Sequence, residues 1–374
     1  MPSAVPKSSF AYLFRSMKTQ STTVLPVAQP HVYEVIVIGA GQAGLAMGYY
    51  LHLQRRDFLM LEAAPQVGQS WRERYDSLQL FTPAPYCHLP GFPLLLPRKH
   101  YPTKDEIARY LQQYAQQFRL PVELGQPVVS LTKKEGLFYL QTPSAHYLAQ
   151  QVVVATGPFQ TPFIPTYATA PAPEVVQLHS SRYRNPGQLP PGNVLVVGAG
   201  NSGAQIAVEL AKDHAVHLSV KRKPRFSSLR MLGRSVFWWA TVTGALYASP
   251  TSRVGKKLLR KADVIYGREL EQLLREKVIP LRPEITGFHG QQVFFNDGTS
   301  TQFSSIIWAT GFQPDYRWLQ IAGAITADGN PLHEQGLSPV PGLFYLGLSW
   351  QRSRSSALLL GAARDAQFIA RKLL

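Results

Sequence analysis

The sequence predicts an α/β protein with two parallel sheets, each grown around its own βαβ unit. Three observations carry this. Val35-Ile36-Val37-Ile38 is an apolar, β-branched run that ends in Gly39-Ala40-Gly41-Gln42-Ala43-Gly44, the pattern of a buried strand entering a tight turn. An interval of 159 residues carries Ile36-Val37-Ile38-Gly39 onto Leu195-Val196-Val197-Gly198 without a gap, Leu51 onto Leu210 and Leu61 onto Val220. Finally, Val152-Val153-Val154-Ala155-Thr156-Gly157 returns as Ile306-Ile307-Trp308-Ala309-Thr310-Gly311, one copy after each βαβ unit. A unit that repeats in this order reads as two Rossmann-like dinucleotide-binding domains.

The elements follow in order. Residues 1–30 have no acid, many Ser and Thr, and only Lys7, Arg15 and Lys18 as bases. They read as a disordered N-terminal extension, with Met17 as an alternative start and a targeting peptide as the other reading. The globular pattern begins at Tyr33. Leu45, Met47, Tyr50 and Leu51 recur as one face of a helix, and Phe58-Leu59-Met60-Leu61 is the next strand, ended by Glu62. Thr103–Phe118 reads as a helix with Thr103 as N-cap, Glu106 completing a capping box, and Ile107, Tyr110, Leu111 and Tyr114 on its apolar face. The Pro-rich stretch Pro158–Pro191 reads as a crossing between domains. Asn296-Asp297-Gly298 marks a hairpin turn between Val293-Phe294-Phe295 and Phe303–Trp308. The expected layout is a first domain over 31–160 and 300–374, with a second, 161–299, inserted in it.

Composition narrows the chemistry. With 374 residues and 45% hydrophobic side chains the chain can bury two cores, which excludes general disorder. The single cysteine, Cys87, excludes an intramolecular disulfide framework, a CxxC redox pair and a Cys-rich zinc site. No run of 18 strongly apolar residues exists, so no transmembrane helix is expected and the cytoplasm is the expected location. The net charge is +16, and Lys212–Arg282, with 16 Lys/Arg against 5 Asp/Glu, carries most of it.

The glycine motifs carry the function. Gly39, Gly41 and Gly44 stand where a tight turn, a close pyrophosphate and close helix–strand packing each ask for glycine, and the helix opened by Gln42 and Ala43 points its free N–H groups at the phosphates. Glu62, 18 residues beyond Gly44, falls where a carboxylate accepts the adenosine ribose hydroxyls. Gly198, Gly200 and Gly203, with Asn201 and Ser202, repeat the motif. The same step from Gly203 lands on Lys221, followed by Arg222 and Lys223. Cations in place of the ribose carboxylate suit a 2′-phosphate, which a carboxylate would repel. The first site therefore suits FAD and the second NADPH. A flavin reduced by NADPH without a dithiol beside it leaves oxygen, a quinone or a small substrate as the acceptor.

From Gly68 to Pro83 the chain reads Gly-Gln-Ser-Trp-Arg-Glu-Arg-Tyr-Asp-Ser-Leu-Gln-Leu-Phe-Thr-Pro. This resembles the GxxWxxRYDxLxLxTP signature of flavin-containing monooxygenases, and within them is similar to short bacterial flavoproteins and the plant YUCCA enzymes. The likeness continues through Leu89-Pro90-Gly91-Phe92-Pro93, Tyr101-Pro102-Thr103-Lys104, Ala309–Asp315 and Gly342–Gly347. It implies class B monooxygenase chemistry: NADPH reduces FAD, O2 forms a C4a-(hydro)peroxyflavin, and one oxygen atom passes to a small organic substrate. It also implies that Gln69, Ser70, Trp71, Leu80 and Thr82 line the flavin and that Ala155, Thr156 and Gly157 close over its pyrophosphate. No catalytic side chain and no metal ligand is singled out, because the cofactor carries the hard chemistry.

Two departures stand out. The family's FxGxxxH fingerprint keeps His179, but Pro173 and Val175 replace its Phe and Gly, which puts in question the coupling of NADP+ binding to oxygen transfer. The flavoprotein Gly-Asp near the C-terminus is Gly347-Leu348, and a backbone N–H near Leu348 is expected to reach the flavin instead. The alternatives to a monooxygenase are an uncoupled NADPH oxidase, a quinone or other acceptor reductase, and a redox-sensing accessory to ion transport. Arg230, Arg234, Arg253, Lys256, Lys257, Arg260 and Lys261 flank Phe237, Trp238, Trp239 and Tyr247. That stretch reads as ordinary core under a solvated face, as a substrate entrance, or as a weak membrane-surface contact; no nucleic-acid recognition motif accompanies it.

Overall fold

Val35, Ile36, Val37 and Ile38 have no polar side chain to leave in water, so their strand must be covered on both faces. β1 (Val32–Ile38) sits inside a seven-stranded sheet, with Val35 and Val37 in one hydrophobic cluster and Ile36 and Ile38 in another across the sheet. The computed structural model describes residues 31–166, 173–261 and 264–373, so the extension expected over 1–30 lies outside the described residues. Val32–Leu374 forms one compact unit.

In the first sheet, α1 (Gln42–Leu53) crosses from β1 to β2 (Phe58–Leu61), which pairs parallel with β1. α2 (Gln69–Arg72) and α3 (Lys104–Gln117) precede β3 (Val122–Glu123), which extends the sheet beyond β2. α3 carries the predicted capping box: Thr103 Oγ1 accepts the Glu106 N–H at 3.3 Å, and Glu106 Oε2 accepts the Thr103 N–H at 2.8 Å. On the other side of β1 lies β6 (His146–Val154), whose first half also pairs antiparallel with β5 (Leu137–Gln141), itself paired with β4 (Ser130–Lys134). The second half of β6 pairs with strand Leu343–Tyr345, and helix Leu359–Ala370 packs on α1. The C-terminal segment thus returns to the first sheet.

A short strand, β7 (Thr161–Pro162), pairs antiparallel with Phe312–Gln313, so the outgoing and returning crossings run side by side. The second sheet orders strand Leu281–Arg282, β10 (Ala215–Ser219), β9 (Asn193–Val197), strand Ser305–Trp308 and β8 (Val176–His179), all parallel. α4 (Asn201–Leu210) joins β9 to β10. Val194 and Val196 face one cluster and Leu195 and Val197 the other, the two-faced burial of β1 repeated.

Two sequence expectations change here. The boundary placed at 300 falls too early, because Ser305–Trp308 pairs with β8 and β9 in the second sheet. The hairpin partner of Gln292–Phe295 is Ser300–Gln302, not Phe303–Trp308. Both errors share a cause: Ile306, Ile307 and Trp308 are wholly buried, and a strand buried on both faces belongs in the middle of a sheet. Among the described residues no helix is long and apolar enough to cross a membrane.

Candidate functional site

The two glycine loops are built alike. Gly39 has φ +101°, and a Cβ on it would stand 2.7 Å from the carbonyl oxygen of Ala155; a Cβ on Gly44 would stand 1.9 Å from the Gly39 oxygen. These two glycines close the strand–helix turn. Gly41 differs, since a Cβ there would meet nothing within 4 Å, and as N-cap of α1 it leaves the helix N-terminus without a side-chain cap. In the second loop Gly198 has φ +100° and a Cβ on it would stand 2.5 Å from the Ala309 oxygen, a Cβ on Gly203 would stand 2.1 Å from the Gly198 oxygen, and Gly200 opens onto free space before an uncapped α4. Each loop therefore presents unpaired N–H groups and a space that its middle glycine keeps clear. That is what an anionic pyrophosphate needs, so the residues fit two dinucleotides.

The repeated Ala-Thr-Gly acquires a physical reason. Ala155 N–H donates to the Ile38 oxygen and Ala309 N–H to the Val197 oxygen, both at 2.8 Å, which holds each alanine carbonyl against the first glycine of its loop. Thr156 Oγ1 and the Gly157 oxygen both accept from Gln160 Nε2 at 2.9 Å.

Glu62 stands at the end of β2 as expected, and its carboxylate is already engaged. Oε2 accepts the Ala40 N–H at 2.7 Å and Oε1 the Ala64 N–H at 2.9 Å, so Glu62 ties the strand end to the first glycine loop and keeps lone pairs for a ribose. Lys221 and Arg222 are exposed at the corresponding place beyond β10, but Lys221 Nζ lies 3.4 Å from Glu284 Oε1. The sequence has only cations at this offset; the fold delivers a carboxylate to it from 63 residues away. Asn201 Oδ1 accepts the Tyr266 N–H at 2.9 Å and so anchors the second loop to the chain beyond β10.

The expected flavin-lining set divides. Gln69, Ser70 and Trp71 form the single turn α2, entered through Gly68 at φ +82°, where a Cβ would press within 2.6 Å of the Ala108 oxygen. Gln69 is held between Gln66 and Glu73, and Trp71 packs half-buried on the first core. Leu80 is a core residue, and Thr82 is buried with its hydroxyl 3.0 Å from Cys87 Sγ, so its oxygen is directed at the thiol. Burial pushes that thiol up to about 12, which leaves it un-ionised at neutral pH. The Leu348 N–H itself donates to Gln351 Oε1 at 3.2 Å. Gly347 approaches α1 so closely that a Cβ on it would lie 2.8 Å from the Ala43 Cβ.

Several contacts at this junction are not legible in the sequence. Tyr75 OH donates to Gln205 Oε1 at 3.0 Å, and Gln205 Nε2 donates to the Gln79 oxygen at 2.9 Å, so the signature segment grips α4 of the second unit. The Arg74 guanidinium lies 5.0 Å and 5.2 Å from the ring centres of Phe159 and Phe312, one on each crossing segment. Phe81 stacks on Tyr266 at 4.7 Å. No local pattern announces these contacts. His179 is buried; its Nδ1 accepts the Ser181 N–H at 3.1 Å, so Nε2 donates to the Gly311 oxygen at 2.9 Å. Burial lowers its pKa and holds it neutral at pH 7. Val175, where the fingerprint has glycine, is a core residue of the second unit.

Comparison with known proteins fits this geometry. Residues 36–235 match the family described as pyridine nucleotide-disulphide oxidoreductase. The chain is 46% identical to an uncharacterized oxidoreductase, CzcO-like, of Geobacillus kaustophilus, over 92% of this chain and 99% of that protein. It is 30% identical to the probable indole-3-pyruvate monooxygenase YUCCA1 of Arabidopsis thaliana, over 91% of this chain and 89% of that one. Among solved structures, the flavin-containing monooxygenase of Stenotrophomonas maltophilia is similar, with TM-score 0.76 and 28% identity over 91% of this chain and 98% of that chain.

Proposed function

The chain belongs to the pyridine nucleotide-disulphide oxidoreductase family, among its flavin-containing monooxygenases, and from that premise we propose that it inserts one oxygen atom of O2 into a small organic substrate at the expense of NADPH, in the cytoplasm. The observation that carries the reading is the pair of glycine loops in which the middle member, Gly41 or Gly200, looks onto open space while the first and last are crowded by backbone. The α1 loop with Glu62 would hold FAD, and the α4 loop with Lys221 and Arg222 would hold NADPH. Bound flavin supplies the two-electron chemistry and the activation of dioxygen.

The chain's own residues position and enclose. The N–H groups at the start of α1 and α4 would hold the two pyrophosphates. Arg74, Tyr75 and Gln205 tie the signature segment to the crossing segments and to α4, so they would hold the two cofactor sites in fixed relation. A disulfide-reductase outcome lacks a partner: the chain has one cysteine, and its thiol is buried and protonated.

The test is 18O2 turnover of the holoprotein with NADPH and three probes, indole-3-pyruvate, a dialkyl sulfide and a trialkylamine. Label in any product, with peroxide falling below the NADPH consumed, supports oxygen transfer. Peroxide equal to NADPH with every probe favours the oxidase reading. Faster NADPH consumption with an added quinone under argon favours the reductase.

A further inference from the structure

Between Asp213 and Asp263 the chain has no acidic residue and eleven Lys or Arg. Within this stretch Arg230–Met231 and Arg234–Ser235 form a two-stranded hairpin, with Leu232 and Gly233 as its turn. Both turn residues have positive φ, +48° and +73°, the geometry of a type I′ turn whose first position ordinarily takes Asn, Asp or Gly. A leucine in that left-handed conformation is strained, and here it is also 82% exposed, beside a Met231 that is 52% exposed.

The flanks of this tip are specific. Arg230 and Arg234 bracket it, and the Arg230 guanidinium donates to the Gly233 oxygen. Beneath it, Trp239 Nε1 donates to the Met231 oxygen at 2.9 Å, and the Arg234 guanidinium lies 5.2 Å from the Trp238 ring centre. Two half-buried indoles thus brace a protruding apolar point ringed by arginines. The short helix Arg253–Leu259 repeats the combination, exposing Val254 and Leu259 among Arg253, Lys256 and Lys257.

We propose that the Arg230–Ser235 hairpin is a membrane-docking wedge, in which Leu232 and Met231 enter the acyl boundary of an anionic phospholipid bilayer while the surrounding cations meet the headgroups. The core of a protein–protein interface is depleted of charged residues, lysine among them. A convex apolar tip within a wholly basic stretch, on tryptophans that favour the headgroup level, matches a bilayer instead.

The experiment is co-sedimentation of the full-length, flavin-loaded protein with vesicles of phosphatidylcholine alone or mixed with phosphatidylglycerol. Wild type should sediment with the anionic vesicles only and be released by raised salt. A Met231→Ser/Leu232→Ser double variant with unchanged melting temperature and flavin content should bind at least about tenfold more weakly, since the lost apolar contact of two side chains exceeds one decade of partitioning. Failure of wild type to bind anionic vesicles overturns the proposal, as does equal binding by the variant. A hairpin-dependent dimer seen by light scattering, or hairpin-dependent retention by a soluble acidic protein, with no vesicle binding overturns it too and gives the tip to that occupant. None of these readouts uses oxygen transfer, so the outcome is independent of the proposed activity.

Discussion

Gly41 and Gly44 separate a glycine kept for a ligand from a glycine kept for the fold. Gly41 has φ −73° and ψ −172°, an extended conformation open to any residue, and its Cβ direction is empty to 4 Å. Gly41→Val should therefore cost the apoprotein less than about 1 kcal/mol, the difference between glycine and valine as N-cap. Gly44→Ala is the opposite case. Its Cβ would begin 1.9 Å from the Gly39 oxygen, so the backbone must retreat by about 1.5 Å to reach ordinary contact at 3.4 Å. That cost lies at or above the upper end of the roughly 1–3 kcal/mol typical of overpacking. The two variants should invert in flavin binding relative to stability. Gly41→Val fills the space a pyrophosphate needs and should lose at least one charge-assisted hydrogen bond, roughly 10- to 150-fold in affinity. The assay is thermal melting of flavin-stripped protein together with flavin stoichiometry after purification. If Gly41→Val apoprotein melts as early as Gly44→Ala, or purifies with a full complement of flavin, the cradle is misassigned.

Three further outcomes are expected. Arg222→Ala should lower kcat/KM for NADPH about 10- to 150-fold and leave NADH nearly unchanged; Lys221→Ala should do less, because Glu284 already shares that ammonium, and equal loss with both cofactors removes the 2′-phosphate assignment. Cys87 should resist a disulfide reagent at pH 8 until the protein is unfolded, and Cys87→Ala should keep NADPH turnover; prompt labelling of the native protein would contradict the buried, protonated thiol. His179 has a native pKa below its ordinary value of about 6.5, so its share of stability is complete above that pH and is lost as pH falls from there through the native pKa. His217 and His333 are shifted the same way by burial, so His179→Gln, which can still donate to the Gly311 oxygen, should reduce the acid-side slope of stability without abolishing it; an unchanged slope refutes the neutral buried imidazole.

The amino-acid sequence by itself determined the two βαβ units, their glycine loops and the capped helix after Thr103, because each is specified by residues within a few turns of one another. A β-branched run has one way to be buried, and a turn that needs φ near +100° accepts glycine at one place. The tertiary structure alone decided what distant segments bring to those units. It sent Ser305–Trp308 to the second sheet, gave both oxygens of Glu62 a backbone partner, set Glu284 against Lys221, and turned Thr82 and the Leu348 N–H away to Cys87 and Gln351. It also raised Leu232 to the tip of an exposed hairpin, where a leucine in sequence would read as core. Periodicity records which faces a segment must bury, whereas a partner from the far end of the chain leaves no trace in the spacing around the residue it meets.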